Sequence, residues 1–365
     1  MLFIHNEVSE QVLDMIDVIA VQEDALKQAA VGEAVARPRI DVYVPCDRED
    51  GYWRWGTMEG ANGGYFAIRM KSDIMTWPEA DQGHRTAEKY CIEPGTFCGL
   101  IMLFSTGDGE PLALINDGIL QHMRVGGAAG IGVKYMARED SEDLCILGSG
   151  GMARTYLDAI QCVRPIKRVR VYSPTKANRD VFAEEAAERF SLPVEPVADA
   201  HSAVKGCDIL ACCTDAITPV FDGDWIEPGM HIANLNWHEL SRAAISRIDR
   251  MSRKGQLDDG LKNYLDGQNS YICGTEEERT RIPGNEMEVS PFEALRDDIE
   301  RINFEQILMG VEPGRKSHDQ VTFFQNSGNQ GIQFSSVGAL CYNRAKQAGL
   351  GRDLPTEWFL QDIRD

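Results

Sequence analysis

Residues 144–160 read LCILGSGGMARTYLDAI: an apolar run, a cluster of glycines, then small and apolar residues at helical spacing. Gly148, Gly150 and Ala153 form G-x-G-x-x-A between a predicted strand and a predicted helix. In that setting the first glycine permits a tight turn and the second lets backbone N–H groups approach a pyrophosphate, while the small third residue lets helix pack on strand. The N-terminus of the following helix adds partial positive charge. Ser149, Gly151 and Met152 complete the loop, so residues 148–153 are expected to cradle a dinucleotide.

Working outward, strands are expected at 143–147, 168–172, 208–213 and 230–235. Helices are expected at about 151–162 and 176–189, with an acidic helix around 198–205. This βαβ rhythm implies a parallel sheet covered by helices. Thr214, directly after the 208–213 strand, is assigned to the nucleotide site. The second strand runs into VRVYSPTKANR, where an Asp or Glu would hydrogen-bond the ribose 2′-OH of NAD. No acid is present. Ser173, Thr175, Lys176 and Arg179 instead offer hydroxyl and cationic donors suited to a 2′-phosphate, which favours NADP(H) and leaves NAD(H) open.

Toward the N-terminus, Val8, Val12, Leu13, Ile16, Ile19, Ala20 and Leu26 recur at helical spacing, so the first forty residues read as a helix with Ser9 as N-cap. From Arg39 to about Ile115, short segments separated by Gly, Pro, Asn and Asp read as a strand-rich, largely antiparallel region. Residues 254–300 lack clean periodicity and read as an excursion, either decorative or on the substrate side. A last helix, VGALCYNRAKQAGLG, ends on glycine.

The chain has 365 residues, with 37 Lys+Arg against 57 Asp+Glu and a formal charge of −20. So acidic a surface argues against nucleic acid or anionic membrane as a partner. Its ten cysteines lack the spacing of a disulfide scaffold or metal site, which points to a reducing, cytoplasmic compartment and to no metal. The acidic start does not read as a signal peptide, and no apolar run approaches the ~20 residues of a membrane span. His231 and His238 do not form an HExxH. The adjacent Cys212 and Cys213 should point to opposite faces of a buried strand.

The stretch HMRVGGAAGIGVKYMAREDSEDLCILGSGGMA resembles the ornithine cyclodeaminase and mu-crystallin family, which includes ketimine or imine reductases and amino-acid dehydrogenases. GEPLALINDGIL, DILACCTDAITPVFDGDWIEPGMHI and GNQGIQFSSVGALCYNRAKQAGLG are similar to family segments in the same order. The resemblance implies an α/β protein: a Rossmann nucleotide-binding domain (126–331) plus a discontinuous α+β substrate-binding and dimerisation domain (1–125 and 332–365), assembled as a homodimer. It implies a small amino or imino acid between the domains. Arg124 stands at the family's arginine position. Arg39 looks like the N-terminal carboxylate-binding arginine, with Arg37 nearby, and Met58 resembles a pocket-lining methionine.

The family also places a lysine on a strand against the substrate nitrogen, and YFAIRMKSDI offers Arg69 and Lys71 on one face. Only the lysine can lower its pKa enough to exchange a proton, so Lys71 is expected as acid/base and Arg69 as a third cation. Cyclodeaminases carry an aspartate after the 230–235 strand, followed by Glu-Leu. Here Glu239-Leu240 matches the pair, and Asn234 or Asn236 falls near the missing aspartate. Asparagine cannot act as a general base, which favours hydride transfer to a C=N bond over ornithine cyclisation. Asn236 and His238 are the catalytic candidates of this loop. A nucleotide-binding protein without turnover, like mu-crystallin, is the reading from another class.

Overall fold

A computed structural model describes residues 1–79, 85–255, 270–273, 275, 277 and 299–363. Among these residues, eight strands form a sheet in the order Val194–Pro196, Arg168–Tyr172, Asp143–Leu147, Ile209–Cys212, His231–Asn234, Thr322–Gln325, Arg250–Arg253, Glu300–Asn303. Every neighbouring pair is parallel. The central strands are unbroken buried runs because helices cover both faces. Cys212 and Cys213 accordingly enter separate apolar cores on the two sides of the sheet. Strand order reverses at Asp143–Leu147, so its carboxyl end and that of Ile209–Cys212 open the crevice where doubly wound sheets bind ligands.

The second sheet counts eleven strands among the described residues and is mostly antiparallel, its centre being the hairpin of Gly51–Asn62 and Tyr65–Thr76. Three helices position it: Met15–Ala30, Asp117–Met136 and Gln330–Ala348. The last lies directly on the hairpin, because Gly331 meets Gly60 backbone to backbone; a Cβ at 331 would fall 1.7 Å from the Glu59 carbonyl oxygen. It ends where Gly349, at φ 66°, donates to Lys346 O while Leu350 donates to Ala345 O.

The N-terminal forty residues are not one helix. They form strand Leu2–Ile4, helix Asn6–Val12 and helix Met15–Ala30. Ser9 is buried inside the first helix against Cys341; the working cap is Asp14, extended in backbone, whose carboxylate accepts from Asp17 N at 3.0 Å. The expected domain cut at 125/126 falls inside Asp117–Met136, a continuous helix that spans both sheets' territory. Ser270–Ile272, expected in the nucleotide domain, pairs in parallel with Ile40–Pro45 of the other sheet. Most of the 254–300 excursion lies outside the described residues. Among those described, no helix is long and apolar enough to cross a membrane.

Candidate active site

The crevice gathers the loops after residues 147, 172, 212, 234, 253 and 325, all at carboxyl ends of parallel strands. Gly148 has φ +110°, and a Cβ there would lie 2.5 Å from the Cys213 carbonyl oxygen, so only glycine can turn the chain at this point. Gly150 borders open space. Helix Gly151–Val163 starts with neither a capping side chain nor an acid in its first turn, leaving its N–H groups for an anion. Ala153 is fully buried between helix and sheet, and Met152 packs at the same core's edge. This cradle fits the pyrophosphate of a dinucleotide. Gly148→Ala is expected to weaken binding of the reduced nicotinamide dinucleotide about tenfold or more, from the ~1–3 kcal/mol strain of a side chain at such a φ plus the clash; fluorescence titration checks it.

Ser149 Oγ and Ser173 Oγ lie 2.9 Å apart, so the glycine turn touches the residue just past the second strand. Thr175 precedes helix Lys176–Phe190; Lys176 is exposed and paired with Asp180. Arg179 donates to Ser173 O at 2.8 Å, with its guanidinium over the Tyr172 ring. Hydroxyl and cationic groups thus surround the end of the second strand, and Gly151 sits against the imidazole of His122 on the helix that carries Arg124.

Thr214 donates to Glu239 Oε1 through both N and Oγ1, each at 2.8 Å, while Leu235 N and Asn236 N donate to Glu239 Oε2 at 2.8 and 2.9 Å. Burial pushes the Glu239 carboxyl up to about 7 despite these bonds. Glu239 is therefore a strut that ties the loops after 212 and 234. Asn236, expected in the place of a catalytic aspartate, spends its side chain on these two loops, accepting from His238 N at 2.9 Å and donating to Ala216 O at 3.1 Å. Burial drives the His238 imidazole down to about 4, so at neutral pH the ring is neutral and holds no imidazolium proton to give up as a general acid. His231 is wholly buried in its strand, with Nδ1 2.9 Å from Thr322 Oγ1.

On the facing sheet, period two puts Arg69, Lys71 and Asp73 on one buried face of Tyr65–Thr76, as expected for the first two. Met58, Gly56 and Arg54 stand opposite them in register. Lys71 is flanked in register by Gly56 and Gly99, and the space their side chains would take is filled by Asp41 and Arg39 on one side and by Asp117 and Phe97 on the other. Its Nζ lies 2.5 Å from Asp73 Oδ2 and 4.8 Å from the centre of the Phe97 ring. Burial, reinforced by Arg54, pulls Lys71 down to about 6 against the attraction of Asp73. Met58 packs within the apolar core.

The arginines of this face differ in their partners. Arg54 makes two bonds to Asp73, at 3.0 and 2.8 Å, and Arg39 makes two to Asp41, at 2.6 and 2.8 Å. Arg69 gives two to Asp117 Oδ2, at 2.8 and 2.5 Å, between the rings of Phe97 and Phe334. Arg69 is thereby neutralised, contrary to its expected place as a spare cation. Arg37, the alternative to Arg39, is committed to Glu59. Arg124 meets amide oxygens: Gln121 Oε1 at 3.2 and 2.7 Å, and Gln333 Oε1 at 3.0 Å. Its guanidinium lies 4.6 Å from the centre of the Phe334 ring. Burial, then Arg69, lowers it to about 9, which leaves it charged at neutral pH. Two buried acceptors, Asp117 Oδ1 and Asn234 Oδ1, have no partner among the described residues.

The sequence model of the ornithine cyclodeaminase/mu-crystallin family matches residues 1–349. This chain belongs to that family. Among its relatives, the Delta(1)-pyrroline-2-carboxylate reductase of Bacillus cereus (strain ZK / E33L) is 28% identical over 261 residues, covering 70% of this chain and 74% of the relative. The fold matches that of Thermococcus litoralis Delta(1)-pyrroline-2-carboxylate reductase, solved with NADH and L-proline, at a TM-score of 0.75 and 24% identity, over 97% of this chain and 100% of the other. An archaeal alanine dehydrogenase dimer with bound NAD gives 0.73 and 22%, over 97% and 99%. Family membership and these folds agree with the Rossmann reading of residues 144–160.

Sequence reasoning missed the buried carboxylates and the residues behind them. Asp73 shares the period-two face of Lys71, and Arg54 that of Met58, so alternation alone could have flagged both. Asp117 and Lys254 carry no such local signal, and Glu239 is marked only by the Glu-Leu pair of the family resemblance.

Proposed function

We propose that the protein is an NADPH-dependent reductase of the C=N bond of a small α-imino acid. Arg124 carries the reading: of Arg37, Arg39, Arg54, Arg69 and Arg124, it alone gives its hydrogen bonds only to neutral acceptors, so its charge is free to meet a substrate carboxylate. The family's curated pyrroline-2-carboxylate reductases support the reaction class. When bound, the reduced nicotinamide supplies hydride. The glycine turn at 148–153 would hold its pyrophosphate, and Ser173, Thr175, Lys176 and Arg179 the 2′-phosphate. Arg124 orients the carboxylate, Arg39 being held by Asp41, and Lys71, between Gly56 and Gly99, hands a proton to the imine nitrogen. Ornithine cyclisation lacks its carboxylate here, because asparagine stands at 234 and 236, and the Asn236 side chain is engaged by Ala216 O and His238 N.

The test is a panel of cyclic and acyclic imino acids with NADPH and NADH, followed by the loss of reduced-nicotinamide absorbance. Oxidation with at least one imino acid is expected; ammonia release from ornithine without net oxidation would overturn the reading. NADPH is expected to be preferred. Ser173→Asp should reverse the preference, because a carboxylate against the 2′-phosphate costs several kcal/mol; unchanged selectivity in paired kcat/KM measurements would remove the 2′-phosphate assignment. The enzyme works as a homodimer in the cytoplasm, a reading supported by the dimeric archaeal relative and by ten free cysteines.

A further inference from the structure

Lys254, the first residue after the Arg250–Arg253 strand, is 2% exposed. A buried lysine is ordinarily paired with a carboxylate. Here the hydrogen bonds of Nζ go to two amide oxygens, Asn326 Oδ1 at 2.9 Å and Gln333 Oε1 at 2.6 Å. Burial, together with Arg124 and Arg253, pushes its pKa well below the usual lysine value. The amine is thus a buried donor whose N–H bonds point at two defined acceptors, neither of them a carboxylate.

Gln333 sits between Lys254 and Arg124. Its Oε1 accepts from Lys254 and also from Arg124 at 3.0 Å, while its Nε2 donates to Arg124 O at 3.1 Å and to Gln22 Oε1 at 2.5 Å. One amide therefore grips Arg124 by side chain and backbone together. Lys254 gives the oxygen end of that amide a second donor, which fixes which way round the amide lies.

Asn326 anchors the lysine from the other side. Its Nδ2 donates to Val125 O at 2.9 Å and to the Tyr156 hydroxyl at 3.2 Å, and that hydroxyl donates to Asn234 O at 2.9 Å. Tyr156 belongs to the helix that starts at the glycine turn. A continuous set of hydrogen bonds thus runs from the nucleotide helix to the arginine, and Lys254 is its middle member.

We propose that Lys254 is a positioning residue for Arg124: held by Asn326, its amine locks the Gln333 amide and so fixes the guanidinium where a substrate carboxylate docks. This rests on the reading of Arg124 as the carboxylate clamp. An apolar side chain of similar length would fill the same space without the lock, so a merely space-filling lysine and a positioning one give different results on substitution.

The experiment compares Lys254→Met and Lys254→Gln with the parent enzyme. Lys254→Met is expected to raise KM for the imino acid about tenfold or more, in line with loss of a hydrogen bond that orders a charged group. kcat should move less than about threefold if the lock acts mainly on substrate binding. NADPH affinity and the melting temperature should stay near parental, and Lys254→Gln, which keeps an N–H donor, should recover much of the loss. An unchanged KM, or an equal loss for imino acid and NADPH, overturns the proposal. Crystal structures of parent and Lys254→Met read the same point without turnover. The guanidinium should leave its place against Gln333, whereas an unmoved Arg124 overturns the proposal. Should the parent reduce none of the imino acids, the proposed activity fails and the crystallographic comparison still decides the role of Lys254.

Discussion

Lys71→Met is expected to lower kcat for imino acid reduction by about 10²–10⁴, the usual contribution of a general acid or base, while NADPH binding is retained. The physical basis is the balance around one amine. Asp73 favours the ammonium, whereas burial, Arg54 and Lys89 disfavour it, and the outcome is a pKa of about 6. Below that value Lys71 carries the proton that the imine nitrogen needs. Above it the amine is neutral and can accept a proton from an amino acid. For the free enzyme, kcat/KM for reduction should therefore fall as pH rises through about 6, and kcat/KM for amino acid oxidation should rise over the same range. The imine itself also titrates, so the profile of the variant is the decisive measurement. If the limb persists in Lys71→Met, the substrate owns it; if it vanishes with the activity, Lys71 does. Full turnover by the variant would remove Lys71 from the chemistry.

What was legible in the sequence follows from how local each feature is. The strand, glycine turn and helix of 143–163 are a contiguous stretch in which each element imposes its own residue types, so that local structure could be read directly. The shared face of Arg69 and Lys71 needed only the two-residue period of a strand. Charge pairing was illegible because partners meet through the fold: Arg69 and Asp117 are 48 positions apart, and Lys254 and Gln333 are 79 apart. Without those partners, Arg69 and Arg124 look alike in sequence. In the structure Asp117 neutralises the first and amide oxygens surround the second. The misread N-cap has a similar cause. Ser9 and Asp14 both suit a cap, and the buried contact of Ser9 with Cys341, 332 positions away, assigns it to a helix interior instead.

Arg124→Met is expected to reduce kcat/KM for the imino acid by about 10²–10³, the range for removing one partner of a buried, hydrogen-bonded charge pair, without lowering the melting temperature of the free protein. The two halves of this expectation have one origin. A buried cation whose hydrogen bonds go only to neutral groups is a cost to folding, which the ring of Phe334, the amides of Gln121 and Gln333 and the charge of Asp117 offset only in part. Methionine removes that cost, and Gln333 Oε1 keeps the Lys254 donor. The apoprotein should then melt at or above the parental temperature, as when a site's built-in destabilisation is relieved. Any thermal stabilisation of the parent by a saturating α-imino or α-amino acid should be absent from the variant, because the carboxylate has lost its counter-ion. Arg124→Lys should recover little, since a single ammonium cannot reproduce the planar fork that grips two carboxylate oxygens. Calorimetric melting of the three proteins with and without ligand, beside their kinetics, separates the outcomes. A variant that melts well below the parent, with activity lost in proportion, would make Arg124 a structural residue and remove it as the carboxylate clamp.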